Sequence, residues 1–273
     1  SHEIRTPLNG VIGFSDLLLK TPLNELQKQY LKYVNESGNN LLSIINDILD
    51  LSKIESGKLE FYIDRFNIYE LVNQVIHVII YQAQKKGVEL LLNIEQGLPP
   101  HIFIDESRIK QVLINLLGNA IKFTDSGEIE LRVEQVDLNN DEVSLRFTVR
   151  DTGIGIPEEK QQRIFDAFMQ EDSSVSKRFG GTGLGLTISN NILKYMKSEL
   201  VLKSTLGIGS EFSFDITVPF ETTVEQEKVL NIKTALIVDD NASNRMILDH
   251  MLNYKNVQTK NVSNGFEALQ LVA

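Results

Sequence analysis

Apolar side chains recur at three- and four-residue steps through residues 4–54, and this periodicity most narrows what the chain can fold into. Such steps place residues on one side of a helix. The pattern breaks after Lys20, where Asn24 followed by Gln27 has the spacing of a capping box, and it resumes to about Ile54. We therefore predict two helices that form an antiparallel hairpin. A lone hairpin leaves an apolar face in water, so we expect it to pair with a second copy as a four-helix bundle.

His2 opens the first helical stretch. At about 100° per residue, the apolar stripe lies roughly 160–240° around the helix from His2, so we predict that the imidazole faces solvent. Glu3 is close enough to orient the ring or to accept its proton, and Thr6 stands one turn further along nearly the same face. An exposed histidine on a helix is weak evidence for a functional site by itself, so its role has to be inferred from motifs elsewhere in the chain. The stripe comprises Ile4, Leu8, Val11, Ser15 and Leu18.

Composition excludes several classes of protein. A formal net charge of −10 argues against a nucleic-acid partner or an anionic membrane surface. The absence of cysteine excludes disulfides and thiolate metal sites, and it fits a reducing cytosol. No apolar run is long enough to span a bilayer, and there is no signal-peptide pattern. Because the first residues already lie inside a helical pattern, we expect an N-terminal part with an input or membrane region to be missing.

Residues 59–220 change to a mixed α/β pattern. Asn67 and Asp105 are predicted N-caps of two helices, and a third helix is predicted from about Leu184 to Met196. The expected arrangement is a sheet with helices on one face, an α/β sandwich. The predicted strands cover Val88–Ile94, Ile129–Val133, Leu145–Val149, Leu200–Ser204 and Glu211–Val218.

The end of the chain differs again. Residues 221–232 are polar and acidic and are predicted to be a linker. Residues 233–273 begin with a short apolar strand, Thr234–Val238, that ends in Asp239-Asp240. A helix, a weaker strand and a last helical stretch follow. This is the order of a parallel β-α-β unit left unfinished.

The helix after Asp105 carries polar residues along one line. At about 100° per residue, measured from Asn115, they all fall within roughly 40° of one line along the helix, opposite an aliphatic stripe. The plainer interpretation is a solvated face. However, amides one turn apart with cations at both ends suit phosphate oxygens and a hard cation, because amide oxygens can ligate Mg²⁺ and lysine neutralises phosphate. The five residues are Arg108, Gln111, Asn115, Asn119 and Lys122.

Two glycine clusters follow that helix. Asp151-x-Gly153-x-Gly155 comes at a strand end, where a carboxylate can accept from the exocyclic amine of adenine and glycines let backbone approach a flat base. Gly181-x-Gly183-x-Gly185 opens a helix, whose free N–H groups suit phosphate. The Walker and dinucleotide patterns are absent. The polar run Gln170–Arg178 between the clusters is predicted to be a lid over bound nucleotide.

Taken together, these motifs closely resemble the catalytic core of a sensor histidine kinase over about residues 1–220. The resemblance is specific because separated motifs agree in order and spacing. Asp239-Asp240 further resembles the start of a response-regulator receiver domain, so the whole resembles a hybrid kinase. The receiver's acceptor aspartate and later lysine would lie beyond Ala273. The kinase motifs are His2, Asn115/Asn119/Lys122, Asp151-x-Gly153-x-Gly155, Phe165-x-x-Phe168 and Gly181-x-Gly183-x-Gly185.

The resemblance implies a domain order and partners. Residues 1–58 would be the dimerisation and histidine phosphotransfer hairpin, 59–220 the ATP-binding catalytic sandwich, 221–232 a linker and 233–273 a receiver fragment. The implied partners are a second copy of the chain and a receiver aspartate that this chain does not contain. The implied location is the cytoplasmic side, and an inner-membrane anchor in the full-length protein is left open.

The resemblance also implies residue roles, with ATP and Mg²⁺ as cofactors. His2 would be phosphorylated, Glu3 would act as the base, and Thr6 matches a position that helps dephosphorylate the partner in some members. Asn119 would hold Mg²⁺, and Asp239 and Asp240 would be an incomplete receiver metal site. Lys122 would contact phosphate and Asp151 would read adenine. The full nucleotide-binding set is Arg108, Asn115, Asn119, Lys122, Asp151, Gly153, Gly155, Lys177, Arg178, Gly181, Gly183, Leu184 and Gly185.

Two other functions remain open at this point. An ATPase clamp of the heat-shock and mismatch-repair type shares the nucleotide fold, but the helices bearing His2-Glu3 argue against it. The second alternative is a non-catalytic dimer that binds nucleotide as a sensor. His77 and His101 have no partner at metal-ligand spacing, so we predict that both are structural, and we predict that His250 is a surface residue.

Overall fold

The computed structural model describes residues 2–139, 141–167, 183–221 and 232–272, with His2 and Val272 described by their backbone alone. The chain divides into two compact units. The first comprises Ser1–Glu60 with Arg163–Ile192, and the second comprises Phe61–Gln162 with Leu193–Ala273.

The first unit contains the predicted hairpin. Helix α1 spans His2–Leu19 and helix α2 spans Glu25–Glu55. The predicted capping box is confirmed, because the Asn24 side chain accepts from the Gln27 N–H at 2.8 Å while the Gln27 side chain accepts from the Asn24 N–H at 3.0 Å. The unit also holds a 3₁₀ turn at Arg163–Phe165 and most of a helix at Gly185–Tyr195, here α6.

The two long helices contact each other at small and polar residues. Gly38 is buried, and a Cβ there would overlap the Ile12 side chain. Asn35 donates to Asp16 at 2.5 Å across the same contact. Large apolar side chains nevertheless remain exposed, as the expectation of pairing with a second copy requires. They include Ile4, Val11, Phe14, Leu17, Leu26, Tyr30, Val34, Leu41 and Ile48.

The second unit is built on a seven-stranded sheet. Its order is β1-β3-β7-β5-β4-β2, with β6 also paired to β7, and every pairing is antiparallel except β2 with β4. Helices α3 (Ile68–Lys86) and α4 (Glu106–Phe123) contact each other and the sheet, and the short helix α5 spans Glu158–Gln161. The strands are β1 Asp64–Asn67, β2 Glu89–Ile94, β3 His101–Ile104, β4 Glu128–Leu138, β5 Glu142–Asp151, β6 Val201–Thr205 and β7 Gly209–Glu221.

The core lies between the helices and one face of the sheet. Inward-facing side chains of β4, β5 and β7 alternate with outward-facing polar ones, and the buried rings of Phe147 and Phe214 stack at 5.2 Å between centroids. Asn67 and Asp105 cap α3 and α4 through their side chains, as predicted. The predicted α/β sandwich is confirmed.

The sequence prediction missed two short strands of the sheet and placed the end of a third strand too early. The short strands β1 and β3 were not predicted, because each has only four residues and shows too little alternation to be distinguished from a loop. Strand β7 continues to Glu221, past the predicted end at Val218, since Glu221 pairs with His101 of β3. The predicted linker at 221–232 therefore begins one residue too early. Its residues 222–231 lie outside the described part of the chain.

The last segment has the predicted order of elements. Strands β8 (Thr234–Val238) and β9 (Gln258–Val262) are parallel neighbours. Helix α7 (Ala242–Tyr254) lies between them in sequence, and α8 spans Gly265–Val272. Among all described helices, none combines the length and apolar character needed to cross a bilayer.

Candidate nucleotide-binding site

Helix α4 presents the predicted polar line beside a buried stripe. Asp105 begins the helix by accepting the Arg108 N–H at 3.1 Å, which satisfies a free backbone donor of the first turn. The aliphatic stripe is buried, and the five polar side chains stay partly exposed. Arg108 donates to Gln111 at 2.9 Å, and Lys122 lies 4.7 Å from the centre of the Phe123 ring. Asn115 and Asn119 lie one turn apart between them. The face can hold phosphate and a hard cation, but its individual roles stay predictions.

Asp151 is a buried carboxylate at the end of β5. It is 7% exposed, and one of its oxygens accepts the Gly153 N–H at 2.8 Å. Burial raises the pKa of Asp151, and backbone hydrogen bonds from Gly153 and Ser210 only partly oppose this. A carboxylate held in such a place gains from any further donor, because its charge is incompletely solvated. The exocyclic amine of adenine is a donor of the right kind.

The loop after Asp151 accepts only glycine at two positions. A Cβ at Gly153 would overlap the Phe123 carbonyl oxygen, and a Cβ at Gly155, where φ is +68°, would overlap the Thr205 carbonyl oxygen. The Ile154 N–H donates to the Phe123 carbonyl at 3.2 Å. The loop is therefore pinned to the end of α4. The structure thus joins the Asp151 loop to the C-terminal end of α4, and a shared site with the polar face of α4 stays a prediction.

One buried group beside this junction was missed by sequence reasoning. Thr124 caps the C-terminus of α4 through its backbone N–H, and its side chain is fully buried. Among described residues its hydroxyl has no hydrogen-bond partner. Buried hydroxyls in native proteins are normally paired, so a hydroxyl without a partner lowers stability. Nothing in the sequence signals it, since a threonine after a helix is ordinary.

A charge network on the sheet was also missed. Glu130 is buried, and it accepts from Arg132 at 2.9 and 3.0 Å and from Arg150 at 3.1 Å. Burial alone would raise the pKa of Glu130, but hydrogen bonds from Arg132 and Asn93 outweigh it, and the pKa is lowered. Arg132 lies two residues from Glu130 on the same strand, but Asn93 and Arg150 reach Glu130 only when β2 and β5 pair with β4. These cross-strand members cannot be found from the local sequence.

The second glycine cluster falls in the first compact unit. Gly183 has a φ of +71°, Leu184 is buried, and Gly185 begins α6. Thr187 in the first turn of α6 donates to the Phe165 carbonyl at 2.9 Å. The remaining predicted residues of this cluster and of the lid, namely Gly181, Lys177, Arg178 and the run 170–178, lie outside the described residues.

The predicted phosphoacceptor lies in the first turn of α1. The backbone of His2 is helical, and Glu3 and Thr6 are exposed on the same helix. Asp239 follows β8 and accepts from the Asn241 N–H and the Asn244 side chain at 2.8 and 2.6 Å. No three His, Cys, Asp or Glu side chains cluster as a metal site anywhere in the described chain. The incomplete receiver metal site therefore stays a prediction.

Comparison with known proteins agrees with this geometry. Residues 1–57 match the "His Kinase A (phospho-acceptor) domain", and residues 104–222 match the "Histidine kinase-, DNA gyrase B-, and HSP90-like ATPase" family. Signal transduction histidine-protein kinase BarA of Escherichia coli is 45% identical over 224 residues, which cover 82% of this chain and 24% of BarA. Sensor protein GacS of Pseudomonas syringae is 40% identical, over 98% of this chain and 30% of GacS.

A solved structure extends the likeness to the fold. Full-length ShkA in complex with AMPPNP has a TM-score of 0.80 and 32% sequence identity to this chain, and the match covers 98% of this chain and 55% of ShkA. The chain spans 24% and 30% of the length of the two curated relatives named above. The chain belongs to the sensor histidine kinase family and carries its phosphoacceptor and ATPase domains.

Proposed function

We propose that this chain binds Mg²⁺-ATP and transfers the γ-phosphoryl group to His2. One observation carries the proposal: the buried carboxylate of Asp151 lies on a loop that admits only glycine at Gly153 and is pinned to the end of α4. This arrangement offers an incompletely solvated acceptor for the adenine amine, on a loop attached to the end of the helix that carries the amides and cations. A solvated helix face alone would need none of these features.

The residues present fit ATP and its cation. Asp151 would accept from the adenine amine, while Asn119 would offer an amide oxygen to Mg²⁺ and Lys122 would neutralise phosphate charge. When bound, Mg²⁺ would neutralise charge on the transferred phosphoryl group. Arg108 and Asn115 lie on the same face and would contact the nucleotide. Gly181, Lys177 and Arg178 would complete the site from the lid.

The transfer itself needs His2 and a base. A His2 ring nitrogen would attack the γ-phosphorus as the bond to the ADP oxygen breaks, and Glu3 would take the proton from the ring. The products are phosphohistidine and ADP. Catalysis consists mainly of positioning and charge neutralisation, as in other phosphoryl transfers. Thr6, one turn further along α1, would assist the hydrolysis that removes the phosphoryl group from a phosphorylated partner.

The partners follow from the same architecture. The exposed apolar side chains of α1 and α2 would pair with a second copy of the chain as a four-helix bundle. The phosphoryl group would pass to an aspartate of a receiver domain, in a hybrid kinase arrangement. Residues 233–273 would be the opening part of such a receiver, and Asp239 and Asp240 would belong to its metal site. We place these domains on the cytoplasmic side.

Radiolabelled ATP tests the proposal directly. Wild type and His2→Gln are incubated with γ-labelled ATP and Mg²⁺, and the acid and base lability of the protein-bound label is compared. We expect acid-labile, base-stable label in wild type alone. Equal ATP binding in both variants controls for the nucleotide site. An unchanged acid-labile label in His2→Gln would refute the assignment of the phosphoacceptor.

A further inference from the structure

The segment after β8 contacts the nucleotide-binding sheet through Asn241. In the parallel pair β2 and β4, Glu89 lies directly opposite Glu128. Like charges opposite each other on a sheet repel. The Asn241 amide nitrogen lies 2.5 Å from a Glu89 oxygen and 3.1 Å from a Glu128 oxygen. Its two N–H groups therefore bridge the two carboxylates. Ser243 adds a hydrogen bond to Glu128 at 3.3 Å.

The orientation of this amide is fixed from its other side. The Asn241 side-chain oxygen caps α7 by accepting the Asn244 N–H at 3.0 Å. Asp239 accepts the Asn241 backbone N–H at 2.8 Å and the Asn244 side chain at 2.6 Å. Because the oxygen is used within the segment, the nitrogen must point outward to the sheet. The loop Asp239–Asn244 thus presents a preformed donor to the carboxylate pair.

Glu128 also holds both neighbours of Asp151. Arg150, which precedes Asp151, donates to the Glu128 carboxylate at 2.5 Å. Thr152, which follows Asp151, donates its N–H to the Glu128 carbonyl at 3.1 Å and accepts the Glu128 N–H at 3.0 Å. The residue that receives the segment therefore holds the side chain before the proposed adenine acceptor through its carboxylate, and the residue after it through its backbone.

We propose that the carboxylate pair Glu89 and Glu128 is a docking site for the loop Asp239–Asn244, and that docking is coupled to nucleotide binding at Asp151. The coupling rests on the proposed nucleotide function. Docking places two N–H donors between the two carboxylates, which offsets their repulsion and fixes the Glu128 side chain that pairs with Arg150 beside Asp151. Coupling between two sites is reciprocal, so bound nucleotide also strengthens docking of the segment.

Asn241→Asp tests the coupling in the full chain. Aspartate caps a helix as well as asparagine does, so α7 keeps its cap while the donor that faces two carboxylates becomes a third carboxylate. We expect the dissociation constant for ATP to rise about fivefold, within the usual range of coupling between sites. We also expect faster hydrogen exchange in 234–254. Asn253→Asp is the matched control, because it makes the same change on an exposed part of α7 and should leave affinity unchanged.

A second substitution separates docking from misfolding. Adding Glu89→Gln to Asn241→Asp restores a donor–acceptor pair at the same contact, so ATP affinity should return toward that of wild type. Equal affinity in Asn241→Asp and wild type would overturn the coupling, even if the segment unfolds. Failure of Glu89→Gln to restore a lost affinity would overturn it too. If wild type itself binds no ATP, it is the proposed function that fails.

Discussion

Replacing Asp151 by asparagine should separate nucleotide binding from stability. The amide keeps the size of the carboxylate and can still accept the Gly153 N–H, but it presents a donor or a neutral oxygen to adenine. A hydrogen bond to a charged acceptor contributes about 1.5–3 kcal/mol, so ATP affinity should fall about 10- to 100-fold. Burial of the charge is relieved by the same change. The free energy of unfolding should therefore stay within about 1 kcal/mol of wild type. That is the contribution of one backbone hydrogen bond, and the amide loses only the one from Ser210.

The difference in free energy of unfolding between wild type and Asp151→Asn should depend on pH, and the sign of that dependence follows from the pKa of Asp151. The folded-state pKa of Asp151 is raised above its ordinary value of 3.8, so the protonated carboxyl is favoured in the folded protein. Its contribution to stability is fully present below 3.8 and is lost as the pH rises through the folded-state value. The free energy of unfolding of wild type minus that of Asp151→Asn should accordingly decrease across that window and then stay level.

Two measurements on the same samples check this prediction. Isothermal titration with ATP and Mg²⁺ gives the affinity, and urea unfolding at several pH values gives the free energy of unfolding. Gly153→Ala is a useful comparison, because its Cβ would overlap Phe123 and should lower both quantities. If Asp151→Asn binds ATP as tightly as wild type, Asp151 is not the adenine acceptor. If the variant loses several kcal/mol of stability, the carboxylate is structural and the reasoning from its raised pKa is wrong.

Further substitutions test other parts of the molecule. His2→Gln should abolish acid-labile labelling while ATP affinity, measured by titration, stays unchanged. Asn119→Ala should lose the Mg²⁺-dependent part of ATP binding, and retained dependence in a titration with and without the cation would assign the cation to other ligands. Asn24→Ala removes the capping box and should lower the free energy of unfolding of the hairpin by about 1 kcal/mol, measured by urea unfolding. Thr124→Val removes a buried hydroxyl without a partner among described residues and should raise stability by about 1 kcal/mol in the same assay, whereas destabilisation would show that a water or ligand pairs with it.

Much of the fold could be predicted from local sequence patterns. Both caps of the sandwich helices, the capping box at Asn24 and the polar line of α4 depend on residues within one turn of each other, so their spacing is visible in the sequence. The glycine at position 153 was interpreted as letting the backbone approach a flat base, whereas the described structure requires glycine there for another reason. That reason, the Phe123 carbonyl oxygen, could not be predicted, because that atom approaches only after the loop folds back on α4.

The features that could not be predicted depend on pairing between residues far apart in the sequence. Strand β3 becomes a strand only by pairing with β1 on one side and with the end of β7 on the other, and that end is more than a hundred residues further along the chain. The bridge between Asn241 and the carboxylates of Glu89 and Glu128 likewise joins three distant segments. Each residue in it has an ordinary local role, as a helix cap or a strand residue. A pattern search has no reason to connect them.

The position of β7 in the sheet has a consequence for how the chain is made. Strands β1 and β3 reach the remaining strands only through β7, which lies between β3 and β5. During synthesis from the N-terminus, β1, β3, β4 and β5 all emerge before the strand that joins them. Two separate sheet fragments with open edges must therefore wait for residues 209–221. Open strand edges invite pairing with other chains, so a ribosome stalled before β7 would release an aggregation-prone product.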